Sequence, residues 1–254
     1  MQKIFDTHAH YDDNAFDKDR DNILEFLPKK NIGHVINCAV NIPSSIESIK
    51  LSKKYPYIKA SIGLHPQELS TFPTEYLVQI ANLASNPNVV AIGEIGLDYH
   101  YDDCASRTTQ IRIFEEQIEL ANKLNLPIIV HDRDAHADTL DLLTKHKPKG
   151  IVHCFSGSVE MAQEIIRIGM YIGIGGAVTF KNAKKPALVA QNIPLSKIVL
   201  ETDAPYMTPV PYRGTRCDST HIMYTAAKIA ELRSESVSNI LNKTYENACN
   251  IFGL

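Results

Sequence analysis

The chain has 254 residues, of which 44% are hydrophobic and 22% are charged, a composition that is typical of a globular protein. Its formal net charge of −3 argues against a uniformly positive surface and so against a general nucleic-acid-binding protein. A nucleic-acid substrate fits only if metal ions and a few basic side chains hold its phosphates locally. The five cysteines are scattered and contain no CxxC pair, which indicates reduced thiols and a cytoplasmic protein.

No targeting segment or membrane span is expected. The first predicted strand begins almost at Met1 and leaves no room for a signal peptide. The longest apolar stretch, residues 168–178, is interrupted by glycines and is too short to cross a bilayer.

Short apolar segments alternate with helix-length amphipathic segments along the whole chain. The apolar segments are rich in Ile, Val and Gly, which predicts strands, and they cover residues 4–10, 34–40, 58–64, 89–97, 127–132, 150–156, 170–178 and 198–203. Helical spacing predicts helices between and after them, at residues 22–27, 46–53, 76–83, 111–124, 139–145, 161–168, 185–190, 222–232 and 237–252.

This alternation predicts an α/β fold with a parallel sheet, because each connection between strands is long enough to contain a helix. The strands are apolar almost throughout, which suits a sheet covered on both faces. Either a closed barrel or an open doubly wound sheet fits these observations. The count of eight strands favours the barrel, and nothing resembling a linker or repeat divides the chain. We therefore expect residues 1–254 to form a single (β/α)8 TIM barrel domain.

Side chains able to bind a metal fall within or at the ends of five predicted strands. The first strand closes with the sequence DTHAH, in which period-two spacing places Asp6, His8 and His10 on one face. The candidates in the later strands are Glu94, His131, His153 and Asp203. In a barrel the carboxyl ends of all strands converge on one face, which is where active sites form.

The six side chains His8, His10, Glu94, His131, His153 and Asp203 suit metal binding better than a structural role. Burying imidazoles and carboxylates is costly unless they are compensated. Four imidazoles with two acids form a poor set of buried salt bridges, but they suit two divalent ions bridged by one carboxylate. The sequence thus predicts two divalent metal ions, of Mg²⁺, Mn²⁺ or Zn²⁺, without deciding among them.

Six motifs in register resemble those of the TatD family, the metal-dependent deoxyribonucleases of the amidohydrolase-like barrel superfamily. They are DTHAH at 6–10, GLHP at 63–66, GEIGLDY at 93–99, PIIVH at 127–131, HCFSG at 153–157 and ETDAP at 201–205. The resemblance implies that His8, His10, Glu94 and Asp203 surround one metal. It also implies that Glu94 bridges to a second metal, which His131 and His153 hold.

The resemblance also implies the reaction, the cleavage of DNA from frayed or single-stranded 3′ ends. Two close cations can activate a water and stabilise the leaving alkoxide, so Glu94 and Asp203 are the predicted catalytic residues. Asp203 is the candidate to orient that water and accept its proton. No membrane and no obligate protein partner are expected.

Three further side chains are candidates for substrate binding because they follow predicted strands: His65, Arg133 and Arg213. Arginine suits bidentate recognition of phosphate, although an ordinary ion pair with a loop carboxylate explains each arginine equally well. Glu201 shares a face with Asp203 but lies deeper, which favours a supporting role.

Several alternatives stay open. Cys154 follows His153 directly, and in a strand it is expected to be a small packed side chain on the opposite face. Residues 215–221 depart from the family's usual segment, which puts substrate preference in doubt. The same metal site can serve a hydrolase of a non-nucleic ester or amide, such as an aminoacyl-tRNA ester, because specificity depends on the loops. A non-catalytic metal-binding scaffold is the remaining alternative.

Overall fold

The computed structural model describes residues 2–102 and 104–254. Eight parallel strands form one sheet in the order of the chain. The strands are β1 Ile4–Ala9, β2 Ile32–Cys38, β3 Ile58–Ile62, β4 Val89–Asp98, β5 Ile128–Arg133, β6 Gly150–Val152, β7 Tyr171–Ile174 and β8 Ile198–Leu200. A parallel bridge between Ala9 and Ala204 brings the last strand back to the first. The predicted TIM barrel is confirmed.

Within the part of the chain that the structure describes, helices follow the strands and cover the outside of the barrel. They are α1 Arg20–Phe26, α2 Ile42–Lys54, α3 Tyr76–Leu83, α4 Arg107–Leu124, α5 His136–His146, α6 Val159–Arg167, α7 Lys184–Asn192, α8 Ile222–Arg233 and α9 Val237–Phe252. None of the described helices combines the length and the apolar character needed to cross a bilayer.

Polar side chains set where several helices begin. Asn41, Ser106, Ser158 and Ser236 each accept a hydrogen bond from the backbone N–H three residues later, which satisfies a donor that the helix itself leaves unpaired. The cap at Asn41 explains why α2 begins four residues before its predicted start at residue 46, because the apolar periodicity marks only the packed part of that helix.

The predicted sixth, seventh and eighth strands extended too far at their carboxyl ends. The backbone leaves the extended conformation after β6 and β8, since Cys154 has φ 43° and Asp203 has φ 64°. After β7, residues 176–179 form a 3₁₀ turn. The expectation for Cys154 was consequently wrong, because it does not lie in a strand and it lines the pocket at this end of the barrel.

Strands β4 and β5 approach each other closely at Gly96, which pairs with His131. The φ of Gly96 is +149°, and a Cβ atom there would lie 1.9 Å from the carbonyl oxygen of His131. Only glycine tolerates both this backbone conformation and this contact. Gly96 lies between Glu94 and Asp98 in β4, so the close approach also fixes their distance from β5.

We expect Gly96→Ala to lower the free energy of unfolding by about 2–4 kcal/mol, because the new methyl group meets backbone that cannot move aside. Gly169→Ala is the matched control. Gly169 also has a positive φ, +102°, but a Cβ atom there would meet no atom within 4 Å, so a cost of about 1 kcal/mol from backbone strain alone is expected. Urea unfolding of both variants measures the difference, and equal costs would contradict the packing argument.

Candidate metal centre

The carboxyl ends of the strands surround a pocket of about 780 Å³. Predicted metal ligands and two predicted substrate contacts reach its surface, namely His10, His65, Glu94, His131, Arg133, His153 and Asp203. His8 lies at the base of the same group and is fully buried. The barrel thus brings together side chains that are as much as 195 positions apart in the sequence, from His8 to Asp203 (203 − 8 = 195).

The carboxylate of Glu94 lies at the centre of this group, and its two oxygens face different imidazoles. Oε2 is 3.3 Å from His8 Nε2 and 3.6 Å from His10 Nε2. The distances from Oε1 are 2.7 Å to His153 Nε2, 2.9 Å to His131 Nδ1 and 3.4 Å to His65 Nε2. One carboxylate is therefore shared between two sets of nitrogen atoms, which is the geometry that a bridging ligand requires.

Asp203 adds a carboxylate oxygen to the donor atoms that lie near Oε2 of Glu94. Its Oδ1 atom is 3.5 Å from His8 Nε2 and 3.3 Å from His10 Nε2, and the two Nε2 atoms are 3.0 Å apart. Ligand atoms around a tetrahedral ion with bonds of about 2.0–2.1 Å are separated by roughly 3.4 Å. The donor atoms of this chain are thus already spaced as ligands of one ion, and their chemical types suit it.

Comparison with known proteins identifies the family of this chain. The family model described as "TatD related DNase" matches residues 5–253. The chain belongs to the TatD family. It is 38% identical to the uncharacterized metal-dependent hydrolase YabD of Bacillus subtilis over 98% of both chains. It is 32% identical to the 3′-5′ ssDNA/RNA exonuclease TatD of Citrobacter koseri over 99% of both.

A solved structure agrees with this membership. The TatD homologue YjjV of Escherichia coli superposes with a TM-score of 0.93 at 31% identity, over 99% of this chain and 98% of that one. The resemblance drawn from the six motifs is confirmed, and the protein is a TatD-family metal-dependent hydrolase. Which residues hold the metal stays a prediction, now supported by the distances around Glu94.

Within this TatD-family pocket, burial and neighbouring charges divide the imidazoles into neutral and protonated groups. Burial lowers the pKa of His8 to about 4. Burial also opposes protonation of His10, but the hydrogen bond to Asp203 and the charge of Glu94 raise the pKa of His10 to about 10. For His131, neighbouring carboxylates outweigh burial and raise the pKa to about 9. A metal cation must therefore displace protons to bind these nitrogen atoms.

Asp98, which the sequence analysis did not single out, holds the imidazole of His131. Its Oδ2 atom lies 3.1 Å from His131 Nε2, and Gln67 donates to the same oxygen over 2.7 Å. With Nε2 engaged, Nδ1 of His131 is the nitrogen that faces Glu94. A signal for Asp98 was present, because it follows Glu94 by four residues in β4 and period-two spacing puts both on one face.

Glu201 lies beneath the pocket rather than in its wall. Its Oε1 atom accepts a hydrogen bond from the backbone N–H of Cys154 and lies 4.0 Å from His153 Nδ1. Burial raises the pKa of Glu201 to about 8. This position agrees with the predicted supporting role, since Asp203 lines the pocket and Glu201 does not.

The three predicted substrate contacts lie in different places. His65 is among the metal-capable side chains, with its ring 4.4 Å from that of His131. Arg133 lines the pocket and donates to the hydroxyl of Tyr101 over 3.0 Å. Arg213 is exposed and packs on Phe180 rather than lining the pocket. Among the described residues neither arginine forms an ion pair, and their contacts with substrate stay predictions.

We expect Asp98→Asn to weaken metal binding by about 10–100-fold, the usual effect of removing an acid that orients a histidine ligand. Loss of the negative charge makes the imidazole of His131 less basic and leaves its tautomer less well defined. Isothermal titration with Mn²⁺ or Zn²⁺ measures the change. Asp134→Asn is the control, because Asp134 is largely exposed and its hydrogen-bond partner among the described residues is His100. Equal affinities in the two variants would exclude this role.

Metal affinity should rise with pH. The pKa values of His10 and His131 are raised to about 10 and about 9, so both imidazoles carry protons at neutral pH and must lose them to bind a cation. Raising the pH from 6.5 to 8 removes part of this competition, and we expect the dissociation constant to fall by about tenfold or more. Titrations in buffers of different ionisation enthalpy count the protons released. Release of none would contradict the assignment.

Proposed function

We propose that this TatD-family hydrolase is a 3′-5′ deoxyribonuclease that removes nucleotides from frayed or single-stranded 3′ ends of DNA. The observation that carries the proposal is the division of the Glu94 carboxylate between two sets of imidazoles. That arrangement suits a pair of divalent ions, of Mg²⁺, Mn²⁺ or Zn²⁺, and paired ions are typical of phosphodiester hydrolysis. The Citrobacter koseri relative, whose name describes a 3′-5′ ssDNA/RNA exonuclease, supports the same substrate.

His8, His10, Glu94 and Asp203 would hold one ion, and Glu94, His131 and His153 the other. When bound, the ions supply Lewis-acid polarisation of a phosphoryl oxygen and lower the pKa of a water. The bridging role follows from the positions of the two Glu94 oxygens. His65 lies close enough to Oε1 of Glu94, at 3.4 Å, to face either an ion or a phosphate oxygen on that side.

Asp203 is the proposed proton acceptor. Its side chain keeps 19% of its surface exposed to the pocket, whereas that of Glu94 keeps 4%. Burial alone would raise the pKa of Asp203, but the hydrogen bond from His10 and the charges of nearby imidazoles lower it. Asp203 is therefore a carboxylate at neutral pH. It can orient a water molecule by accepting a hydrogen bond from it and can then accept its proton.

Arg133 is the proposed phosphate contact. Its guanidinium group lies 4.9 Å from the centre of the Tyr101 ring, and the hydrogen bond to the Tyr101 hydroxyl holds it at the rim of the pocket. Because no carboxylate of the described chain neutralises it, its remaining N–H groups can donate to the non-bridging oxygens of a phosphodiester. Negative charge that develops on those oxygens is then stabilised by a preorganised cation.

We expect Asp203→Asn to lower kcat on a single-stranded oligonucleotide by at least about 100-fold, with the fold retained. Substrates labelled at the 3′ and 5′ ends distinguish the direction, since 3′ label should be released first as a mononucleotide. Asp141→Asn, at an exposed position of α5, is the control and should keep full activity. The wild-type protein is also assayed with each metal ion on oligonucleotides, nitrophenyl esters and aminoacyl-tRNA. If it hydrolyses only the nitrophenyl esters or the aminoacyl-tRNA, the nuclease assignment is overturned.

A further inference from the structure

A cluster of aromatic rings lies on the segment that follows β8, outside the metal pocket. The rings of Tyr212 and Tyr224 are 5.1 Å apart, and each lies near His221, at 5.5 Å and 6.2 Å. Both tyrosines are exposed, by 44% and 36%. Clustered and exposed aromatic rings of this kind are typical of binding sites.

Basic side chains border the cluster. The guanidinium group of Arg213 lies 4.2 Å from the centre of the Phe180 ring. Lys181 follows Phe180 directly in the sequence, Lys184 and Lys185 begin α7, and all three lysines are exposed. No carboxylate among the described residues pairs with these four cations. We call this region the β8-loop surface, and it consists of Phe180, Tyr212, Arg213, His221 and Tyr224.

The β8-loop surface is continuous with the pocket wall. The segment that carries it starts at Tyr206 and Met207, which line the pocket, and Val210 donates a hydrogen bond to Thr179 over 2.9 Å. Tyr212 follows Met207 by five residues, so the two lie at most about 18 Å apart. A polymer whose end occupies the pocket can therefore reach the rings, whereas a dinucleotide has only one nucleoside beyond the bond that is cleaved.

Charge changes along the segment that follows β8. Asp12, Asp13 and Glu68 line the pocket wall, and the hydroxyl of Tyr206, where the segment leaves the pocket, donates to Asp13. Farther along the segment, Arg213 forms no ion pair with a carboxylate of the described residues, so positive charge lies outside the pocket, where the rest of a polyanion would lie. The net charge of −3 conceals this asymmetry, because steering depends on the local potential rather than on the total.

We propose that the nucleotides preceding the 3′ end of a single strand lie across the β8-loop surface, with bases stacked on Tyr212 and Tyr224 and phosphates on Arg213 and Lys184. This inference rests on the proposed function and deepens it by naming where the rest of the substrate binds. Every base has a face that can stack on an aromatic ring, so the contact is independent of sequence. Paired bases cannot stack in this way, and the surface therefore selects unpaired strands.

The test compares a dinucleotide with a single strand of about twelve nucleotides. In Tyr212→Leu/Tyr224→Leu we expect the ratio of KM for the long substrate to KM for the short one to rise about fivefold or more, with kcat for the long substrate retained. Tyr212→Phe/Tyr224→Phe keeps the rings and removes only the contact between the hydroxyls, 3.2 Å apart, so it should keep the wild-type ratio. Phe26→Leu removes an exposed ring that carries its own cation, Lys30, from a helix remote from the pocket, and should change nothing.

Lys184→Ala provides a second test at an exposed position where folding is not at risk. Loss of one phosphate contact should reduce the slope of log KM against log salt concentration by about 0.7 for the long strand. If the wild-type enzyme digests oligonucleotides and the leucine double variant keeps the wild-type KM ratio, the role of the surface is overturned. The nuclease function is then unaffected. A wild-type enzyme that digests no oligonucleotide would overturn both proposals.

Discussion

Four imidazoles from four different strands converge on the buried carboxylate of Glu94, with ring nitrogens within 3.4 Å of its oxygens. A carboxylate this deeply buried is tolerable only when opposite charge compensates it. Burial alone would raise the pKa of Glu94, but the imidazoles lower it well below its usual range. The barrel is the architecture that satisfies this requirement, because it aims the ends of non-adjacent strands at one point. The positions of β1, β3, β5 and β6 are thus tied to a single anionic group.

The alternation of apolar and amphipathic segments predicted a parallel sheet covered on both faces, and the count of eight strands favoured a barrel over an open sheet. The residues at which the strands end were harder to predict from the sequence. At Cys154 and Asp203 the backbone enters the left-handed region, and neither residue type marks that change in the sequence. Because hydrophobic periodicity reports packing rather than backbone direction, the pattern continued through residues whose backbone had already turned. The functional consequence is that Cys154 belongs to the pocket wall and not to the core.

The site was predictable to the extent that it depends on strands, and less so where it depends on loops. His8 and His10 could be placed on one face of the first strand from spacing alone, and the same reasoning applied to Glu94 in β4 would have revealed Asp98. The position of Arg213 could not be derived in this way. Its distance from the pocket depends on how the segment after β8 folds back, through the contacts of Val210 with Thr179 and of Cys217 with Pro205. No local pattern encodes those long-range contacts.

The place where the barrel closes has a mechanical consequence. The ends of β1 and β8 meet through one bridging pair, Ala9 and Ala204, with backbone hydrogen bonds on either side. His10 lies on one side of this seam and Asp203 on the other. An ion held by both would connect the two ends of the barrel and close, through its coordination bonds, a loop of 194 of the 254 residues (203 − 10 + 1 = 194), which restricts the unfolded chain more than a local contact does. Binding of the ion would therefore also stabilise the contact between β1 and β8.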